Sequence, residues 1–489
     1  MKKIFQFYRN LPIQIKASFW FLICSFLQRG ISMITTPIFT RILTTVEYGQ
    51  YSVFNSWMAI LTPIITLNLH CGVYAQGVVK FEEDRKRYSS SLQGLAFVLV
   101  IIWTVIYLLS ASVWNKLFSL TTMQMAAMFI MIWLSASYGF WSVEQRVDFK
   151  YQKQVVITVL VSILSPTVSI LFVLHSDDKV TARILGVTLV NLMIYSGTFI
   201  VQMVRGRQFF SKHYWLYALR FNIPLLPHYL SMTVLSASDR IMISYMIGDS
   251  EAGLYNLAYS ISLIMTMFNN ALLQTIEPWI YRKLKEKRIE DIAYIAYPSF
   301  ILIAAVNCML ILFAPEIIAI FAPAEYQEAV WCIPAVALSV FFMFLYSFFA
   351  TFEFYYEKTK YIASATVGGA VLNLILNYIA IRKFGYIAAS YTTLLSYILF
   401  AILHYIFMRK VCRQYLNDVK PYELKAILAI GAGSLITGFG FMATYINEMV
   451  RYTLILLVVI IVFIKRRLIV DTVVVLINVK RQKETGKES

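Results

Sequence analysis

The stretch Pro224–Ser260, PLLPHYLSMTVLSASDRIMISYMIGDSEAGLYNLAYS, decides how this chain is read. It enters through two prolines, Pro224 and Pro227, and continues as an apolar helix long enough to cross a bilayer. Asp239 and Arg240 lie well inside that run. The turn from Gly248 to Gly253 then leads directly into another apolar helix. Ionised side chains in a bilayer are expensive, so a charged pair here requires a local partner or a watery cavity.

The rest of the sequence supplies the frame. Of 489 residues, 59% are hydrophobic and 14% charged, with a mean hydropathy of +0.68. Apolar runs of about twenty residues recur along nearly the whole length, which predicts an all-α integral membrane protein. A membrane β-barrel would show shorter alternating segments instead. The net charge of +17 does not point to nucleic acid, because the basic residues sit in short loops between spans. There they set orientation beside anionic membrane lipid.

Enzyme chemistry finds no foothold. The sequence has no Walker A pattern, no G-x-S-x-G and no H-E-x-x-H, and no loop exceeds about twenty residues. Cys24, Cys71, Cys308, Cys332 and Cys412 are scattered without a CxxC pair, so neither a disulfide framework nor a metal site is expected. No catalytic residue and no cofactor is predicted. The N-terminal MKKIFQFYRNLPIQIK leads into a full span without a cleavage motif and is read as an uncleaved first helix.

About fourteen spans are expected. The first covers 16–40, the second 50–74, the seventh 221–247, the eighth 253–280, and the last two 424–446 and 449–464. The second contains Pro63 and His70, and the last is short. With the N-terminus inside, the outer segments hold Arg41, Lys116, Lys179, Arg183, Arg382, Lys383 and Arg451. Arg29 and Arg240 fall within spans, and the rest of the 43 Lys and Arg lie in segments placed inside. This bias puts both termini in the cytoplasm. Beyond Ile464, an apolar stretch of about a dozen residues is too short to span and is expected on the inner membrane surface. The last residues are polar and expected to be disordered.

An internal repeat organises the spans. Glu47-Tyr-Gly-Gln-Tyr51 and Glu251-Ala-Gly-Leu-Tyr255 share E-x-G-x-Y, 204 residues apart. Ser165 and Ser169 in the fifth span match Asn373 and Asn377 in the eleventh, 208 apart. Polar residues at i and i+4 share one helix face, so each pair marks a stripe toward another helix or a cavity. Six spans per repeat is even, so the two halves keep the same orientation, as in parallel-repeat transporters. The predicted division is a six-helix bundle at 1–212, a second at 213–410, two extra helices at 411–464 and a basic tail at 465–489.

Arg29 lies about thirteen residues into the first span, near mid-membrane. Placing it there costs about 2.5–3.5 kcal/mol, so it faces the bundle interior or a cavity. It is either a clamp between two helices or a lining for an anion's path. Arg240 and Asp239 point about 100° apart on their helix and are not automatically partners. Arg240 is the stronger candidate for the anion path, and Asp239 is a coupling site for a proton or cation or a structural tie. His70 and His228 lie near span ends, where they titrate near neutral pH or serve as packing residues. Glu277, Glu353 and Glu357 are placed near the inner interface, where a carboxylate reaches water.

Three stretches carry a family resemblance: PIFTRILTTVEYGQYS (37–52), DRIMISYMIGDSEAGLYNLAYS (239–260) and LNLILNYIAIRKFGYIAASYTTLLSYIL (372–399). They resemble the signature segments of polysaccharide and O-antigen flippases. Those belong to the multidrug/oligosaccharidyl-lipid/polysaccharide (MOP) exporter superfamily, with the multidrug extrusion (MATE) and lipid II flippase branches. The resemblance extends over essentially the whole chain in length, charge layout and span number. It departs from relatives at Ile381-Arg382-Lys383, where they often have proline.

The resemblance implies two six-helix bundles in a MATE-like V shape with two further helices, working by alternating access. It implies export of an undecaprenyl-pyrophosphate-linked oligosaccharide to the outer leaflet of a bacterial inner membrane. Arg29 and Arg240 match, by position, cationic cavity residues of relatives. Further implied partners are a polysaccharide polymerase and a chain-length regulator. Moving negative charge out of an electrically negative cytoplasm is favourable by about 2.3 kcal/mol per charge per 100 mV, so ATP is not required. Proton coupling, sodium coupling and no coupling all fit. The alternative, a MATE-like cation-coupled antiporter of small molecules, calls for buried carboxylates and a cationic substrate.

Overall fold

A computed structural model describes residues 13–467, and within them the chain is helical with no strand. The basic N-terminal segment and most of the tail, including its expected surface stretch, lie outside these residues. The chain divides into two compact units, Met1–Ser244 and Tyr245–Ser489.

The first unit runs α1 (Ile13–Ile42), α2 (Thr45–Thr66), α3 (Val73–Lys80), α4 (Arg85–Leu109), α5 (Ala111–Phe118), α6 (Thr122–Val147), α7 (Tyr151–Leu174), α8 (Lys179–Gly206) and α9 (Lys212–Asn222). A 3₁₀ turn at Ile223–Leu225 then opens α10 (Leu226–Met246), within which the division falls. The second unit continues with α11 (Asp249–Ser262), α12 (Met265–Lys285), α13 (Glu290–Leu312), α14 (Ala314–Phe321) and a 3₁₀ segment at Ala324–Cys332. It closes with α15 (Ile333–Tyr355), α16 (Thr359–Phe384), α17 (Ala388–Tyr415), α18 (Leu424–Ala443) and α19 (Glu448–Ile464).

Among the described residues, ten helices are long and apolar enough to cross a membrane. They include α1, α4, α6, α7, α8, α13, α15, α16, α17 and α18. The other expected spans fall short of that measure. Polar side chains lower the apolarity of α2, α10 and α12, and α19 has 17 residues. Two expected boundaries also shift. The second span ends at Thr66, because Leu67 and Asn68 turn left-handed with φ of 50° and 53°. The eighth is split at Leu263–Ile264, where the hydrogen bonds Ile264 N–Ile261 O, Thr266 N–Leu263 O and Met267 N–Ile264 O close over three residues rather than four.

The repeat markers have matching physical roles. Glu47 is the third residue of α2, and its carboxylate accepts from the Thr44 backbone N–H at 2.8 Å, closing a capping box. Glu251 is likewise the third residue of α11, and its Oε2 would lie 2.8 Å from a Cβ built on Gly248, so it too reaches back over the helix start. The polar stripes both meet a neighbouring helix. Ser169 donates to the Arg183 carbonyl at 3.2 Å, tying α7 to α8. Asn373 donates to Ser396 Oγ at 3.3 Å and Asn377 accepts from Thr392 Oγ1, tying α16 to α17. In the first unit α6 and α7 pack on α8, and in the second α15 and α16 pack on α17. The fourth and fifth spans thus lean on the sixth in each unit.

Candidate functional site

The charged residues of the spans occupy different surroundings. Asp239 is fully buried and Arg240 is 7% exposed, both in the C-terminal half of α10. The Arg240 guanidinium donates from Nη1 to the Ser236 carbonyl one turn back on its own helix. Arg29, in α1, is exposed, as are Phe26, Leu27 and Ile34 on the same helix. Arg29 is thus at the protein surface, whereas Arg240 is packed into the protein.

His70 and His228 belong to one neighbourhood of the first unit. His70 sits in the turn between α2 and α3, its ring edge-on to Phe140 at 6.2 Å. Gly139 makes the room, since a Cβ there would stand 2.6 Å from His70 Cδ2. Asn222 donates to the Leu67 carbonyl at 2.8 Å, tying this turn to the entry of α10. Gly72, with φ of +60°, lies against Tyr229 from the first turn of α10, beside His228. The Nδ1 atoms of both histidines are buried without a hydrogen-bond partner.

Sequence reading missed a polar network inside the first unit. Gln202 of α8 donates to Glu144 Oε2 of α6 at 2.6 Å and to Tyr74 Oη at 3.2 Å. It accepts from Gln93 of α4 at 2.7 Å, and Tyr74 donates to Ser89 at 2.7 Å. At the end of α6, Asp148 accepts from Arg85 at 2.5 Å and from Lys150 at 2.7 Å. Burial alone would raise the Asp148 carboxyl, but Lys150 and Arg85 outweigh it and hold it below the ordinary carboxylate value.

One further charged contact corrects the sequence reading, and two add to it. Glu353, expected at the inner interface, is fully buried, because α17 packs along α15 and covers it. Its Oε1 meets Nδ1 of His404, itself 1% exposed, at 2.8 Å. Glu357 is exposed as expected. Glu277 accepts from Tyr281 at 2.8 Å. Arg451, counted with the outer loops, is 5% exposed and donates to Glu316 at 2.7 Å, joining α19 to α14. Arg183, also counted there, lies 3.7 Å from the Phe39 ring centre and 3.6 Å from that of Tyr51. The Glu353, Arg451 and Arg183 contacts are not visible in local spacing, since their partners stand on different elements. Among the described residues, no group of three His, Cys, Asp or Glu side chains is placed to hold a metal ion.

Comparison with known proteins adds to this geometry. A family model described as "Polysaccharide biosynthesis protein" matches residues 15–284, more than half of the chain, and the MatE model matches residues 224–379. The "Lsg locus putative protein 1" of Haemophilus influenzae is 24% identical over 205 residues, covering 40% of this chain and 51% of that protein. The "Probable low-salt glycan biosynthesis flippase Agl15" of Haloferax volcanii is 28% identical over 170 residues, covering 34% of this chain and 36% of its own length. The matches to these two curated relatives therefore span about half and about a third of the relatives' lengths. Among solved structures, the lipid II flippase MurJ in an inward closed conformation superposes with a TM-score of 0.67 at 15% identity, over 91% of this chain and 99% of that one. That likeness is one of fold.

Proposed function

The chain belongs to the polysaccharide biosynthesis protein family, a branch of the MOP transporters, and from that premise we propose that it flips a lipid-linked oligosaccharide between membrane leaflets. The proposed substrate is an undecaprenyl-pyrophosphate-linked unit of O-antigen, capsule or a related surface polymer. It moves from the inner to the outer leaflet of the bacterial cytoplasmic membrane by alternating access, without ATP. The observation that supports this most directly is the placing of Arg29 and Arg240 in the opening helix of each repeat, both inside the family match. A pyrophosphate carries its charge at the lipid–glycan junction, and bidentate guanidinium groups suit it. Both termini are assigned to the cytoplasm from the Lys and Arg bias. A polysaccharide polymerase and a chain-length regulator are the proposed partners downstream.

Deletion tests this reading. Loss of the protein is expected to trap lipid-linked oligosaccharide on the cytoplasmic leaflet, with release on re-expression. A reporter fused after Arg288 is expected to read as cytoplasmic. Unchanged leaflet distribution on deletion would sink the assignment.

A second reading, a MATE-like cation-coupled antiporter of small molecules, is favoured by one specific observation. Asp239 and Glu353 are both fully buried carboxylates in helices matched by MatE. Resistance to cationic drugs, without any effect on surface glycan, would select it.

A further inference from the structure

Glu353 and His404 form a titratable pair that an anion path does not use. Both side chains are essentially closed off from solvent, with Oε1 and Nδ1 2.8 Å apart. The Tyr346 ring lies nearly parallel to the imidazole at 5.3 Å, and Phe400 meets it edge-on at 4.5 Å. The other carboxylate oxygen, Oε2, is buried and has no hydrogen-bond partner. A purely structural buried pair is worth keeping only when its remaining lone pairs are satisfied, and apolar residues of the same volume pack at least as well. Glu353 is left with a vacant acceptor.

The first unit carries different residue types at the matching positions. Tyr138 stands 208 positions before Tyr346 and stacks on Tyr195 of α8 at 4.4 Å. Gln145 precedes Glu353 by the same 208, and Tyr195 precedes His404 by 209. At these matched positions of the fourth and sixth spans the first unit carries an amide and a phenol, and its one carboxylate in that contact, Glu144, meets the Gln202 amide and no imidazole. The other unit places a carboxylate and an imidazole there.

One proton makes the second pair neutral, either as carboxylic acid with imidazole or as carboxylate with imidazolium. Losing it leaves one negative charge in a dry interface, and a second proton leaves one positive charge. Either change is costly while the site is closed and becomes affordable only when water reaches it. Proton exchange is therefore tied to opening of the α15–α17 contact. Among the described residues, the ion-pair partner shown for Glu353 is His404. Ionisable groups on the surrounding elements are engaged elsewhere: Glu277 with Tyr281 on α12, Tyr297 with the Glu423 N–H, Tyr361 stacked on Phe407, and Arg409 on Asp418.

We propose that Glu353 and His404 form a proton-binding site, loaded and unloaded once per cycle, that couples transport to a proton gradient. The inference rests on the transporter reading above and deepens it by naming the coupling ion. Glu353 is close to the end of α15 that the charge bias assigns to the cytoplasm, so the proton exchanges on that side when the contact opens.

The test uses the full chain in vesicles containing a polyprenyl pyrophosphate with a fluorescent oligosaccharide. A membrane-impermeant quencher reads the leaflet ratio, and the membrane potential is clamped to zero. For one proton per cycle, a gradient of about one pH unit should shift the steady-state ratio by up to about tenfold, and reversing the gradient should reverse the shift. The variant Glu353→Gln/His404→Tyr places the first unit's own residue types at the site and should still equilibrate the lipid between leaflets, with a ratio indifferent to pH. A wild-type ratio unmoved by the gradient, or a variant that responds like wild type, overturns the proposal and leaves the flippase reading standing. If the wild type moves no lipid-linked oligosaccharide, that reading fails instead. The site is then judged by infrared difference spectroscopy on a pH jump. A carboxyl band lost in Glu353→Gln supports the proton site, and no such band overturns it.

Discussion

Phe149 and Glu357, 208 positions apart, hold the same left-handed backbone conformation, with φ of 56° and 55°. The hydrogen bonds around them also match. Lys150 N–H donates to the Gln145 carbonyl and Lys358 N–H to the Glu353 carbonyl, both at 2.8 Å. Phe149 N–H donates to Arg146, and Glu357 N–H to Phe354, at 3.2 and 3.1 Å. Each marks the stop of the fourth span in its unit, using the helix-ending geometry that glycine usually serves. Two different side chains in one strained conformation point to a shared backbone plan, not to a local sequence preference.

That strain is testable. A left-handed conformation costs an ordinary residue about 1–2 kcal/mol, and glycine escapes it at the expense of a more flexible unfolded chain. Glu357 is exposed, so no packing is lost on replacement. Glu357→Gly should stabilise the protein by about 0.5–1 kcal/mol, read as a raised midpoint of thermal unfolding in detergent. Phe149→Gly should gain less, because its half-exposed ring is given up.

Much of the fold was legible because a bilayer imposes simple rules. Apolar runs mark spans, loop charge orients them, and paired polar stripes such as Ser165/Ser169 and Asn373/Asn377 show which face meets a neighbour. The site was less legible. Glu353 sits near the end of its helix, where a carboxylate ordinarily reaches water, and only the packing of a helix 51 residues further on encloses it. Arg451 and Arg183 looked like loop charges because depth in sequence is not depth in the protein. The break at Leu263–Ile264 has no proline or glycine to announce it.

Close packing of α7 on α8 gives a second prediction. A Cβ on Gly186 would lie 2.6 Å from Ser169 Cα and 2.8 Å from its backbone nitrogen, which cannot swing aside. On the same helix Gly197 faces open space. Alanine gains about 1 kcal/mol over glycine in a helix, against about 1–3 kcal/mol for overpacking. Gly197→Ala should therefore raise the unfolding midpoint and Gly186→Ala lower it. Equal behaviour of the two would contradict the close approach.

Asp148 makes the inner end of the first unit sensitive to acid. Its carboxyl is held below the ordinary value of about 3.9 by Lys150 and Arg85, against the opposing effect of burial. A carboxylate with a depressed folded-state pKa stabilises the fold above its unfolded value, and that contribution disappears as pH falls through the folded one. The loss should fall below about pH 4 and be absent at neutral pH. Asp148→Asn should flatten the acid limb of a stability profile below about pH 4. Arg85→Ala should move that limb to higher pH.

The two arginines differ in what their removal can reveal. Arg240 is buried and bonded to the Ser236 carbonyl, so Arg240→Ala should lower stability by about 1–3 kcal/mol as well as slow transport. Arg29 is exposed on α1, so its role is read from transport by a stably inserted variant. If Arg29 receives the pyrophosphate, Arg29→Ala should slow leaflet transfer by about tenfold or more, the loss of one charge-assisted hydrogen bond of about 1.5–3 kcal/mol. Arg29→Lys keeps the charge but not the bidentate geometry, so it should recover only part of the rate. Transfer at the wild-type rate by a stably inserted Arg29→Ala would remove Arg29 from the anion path and leave Arg240 to carry that role alone.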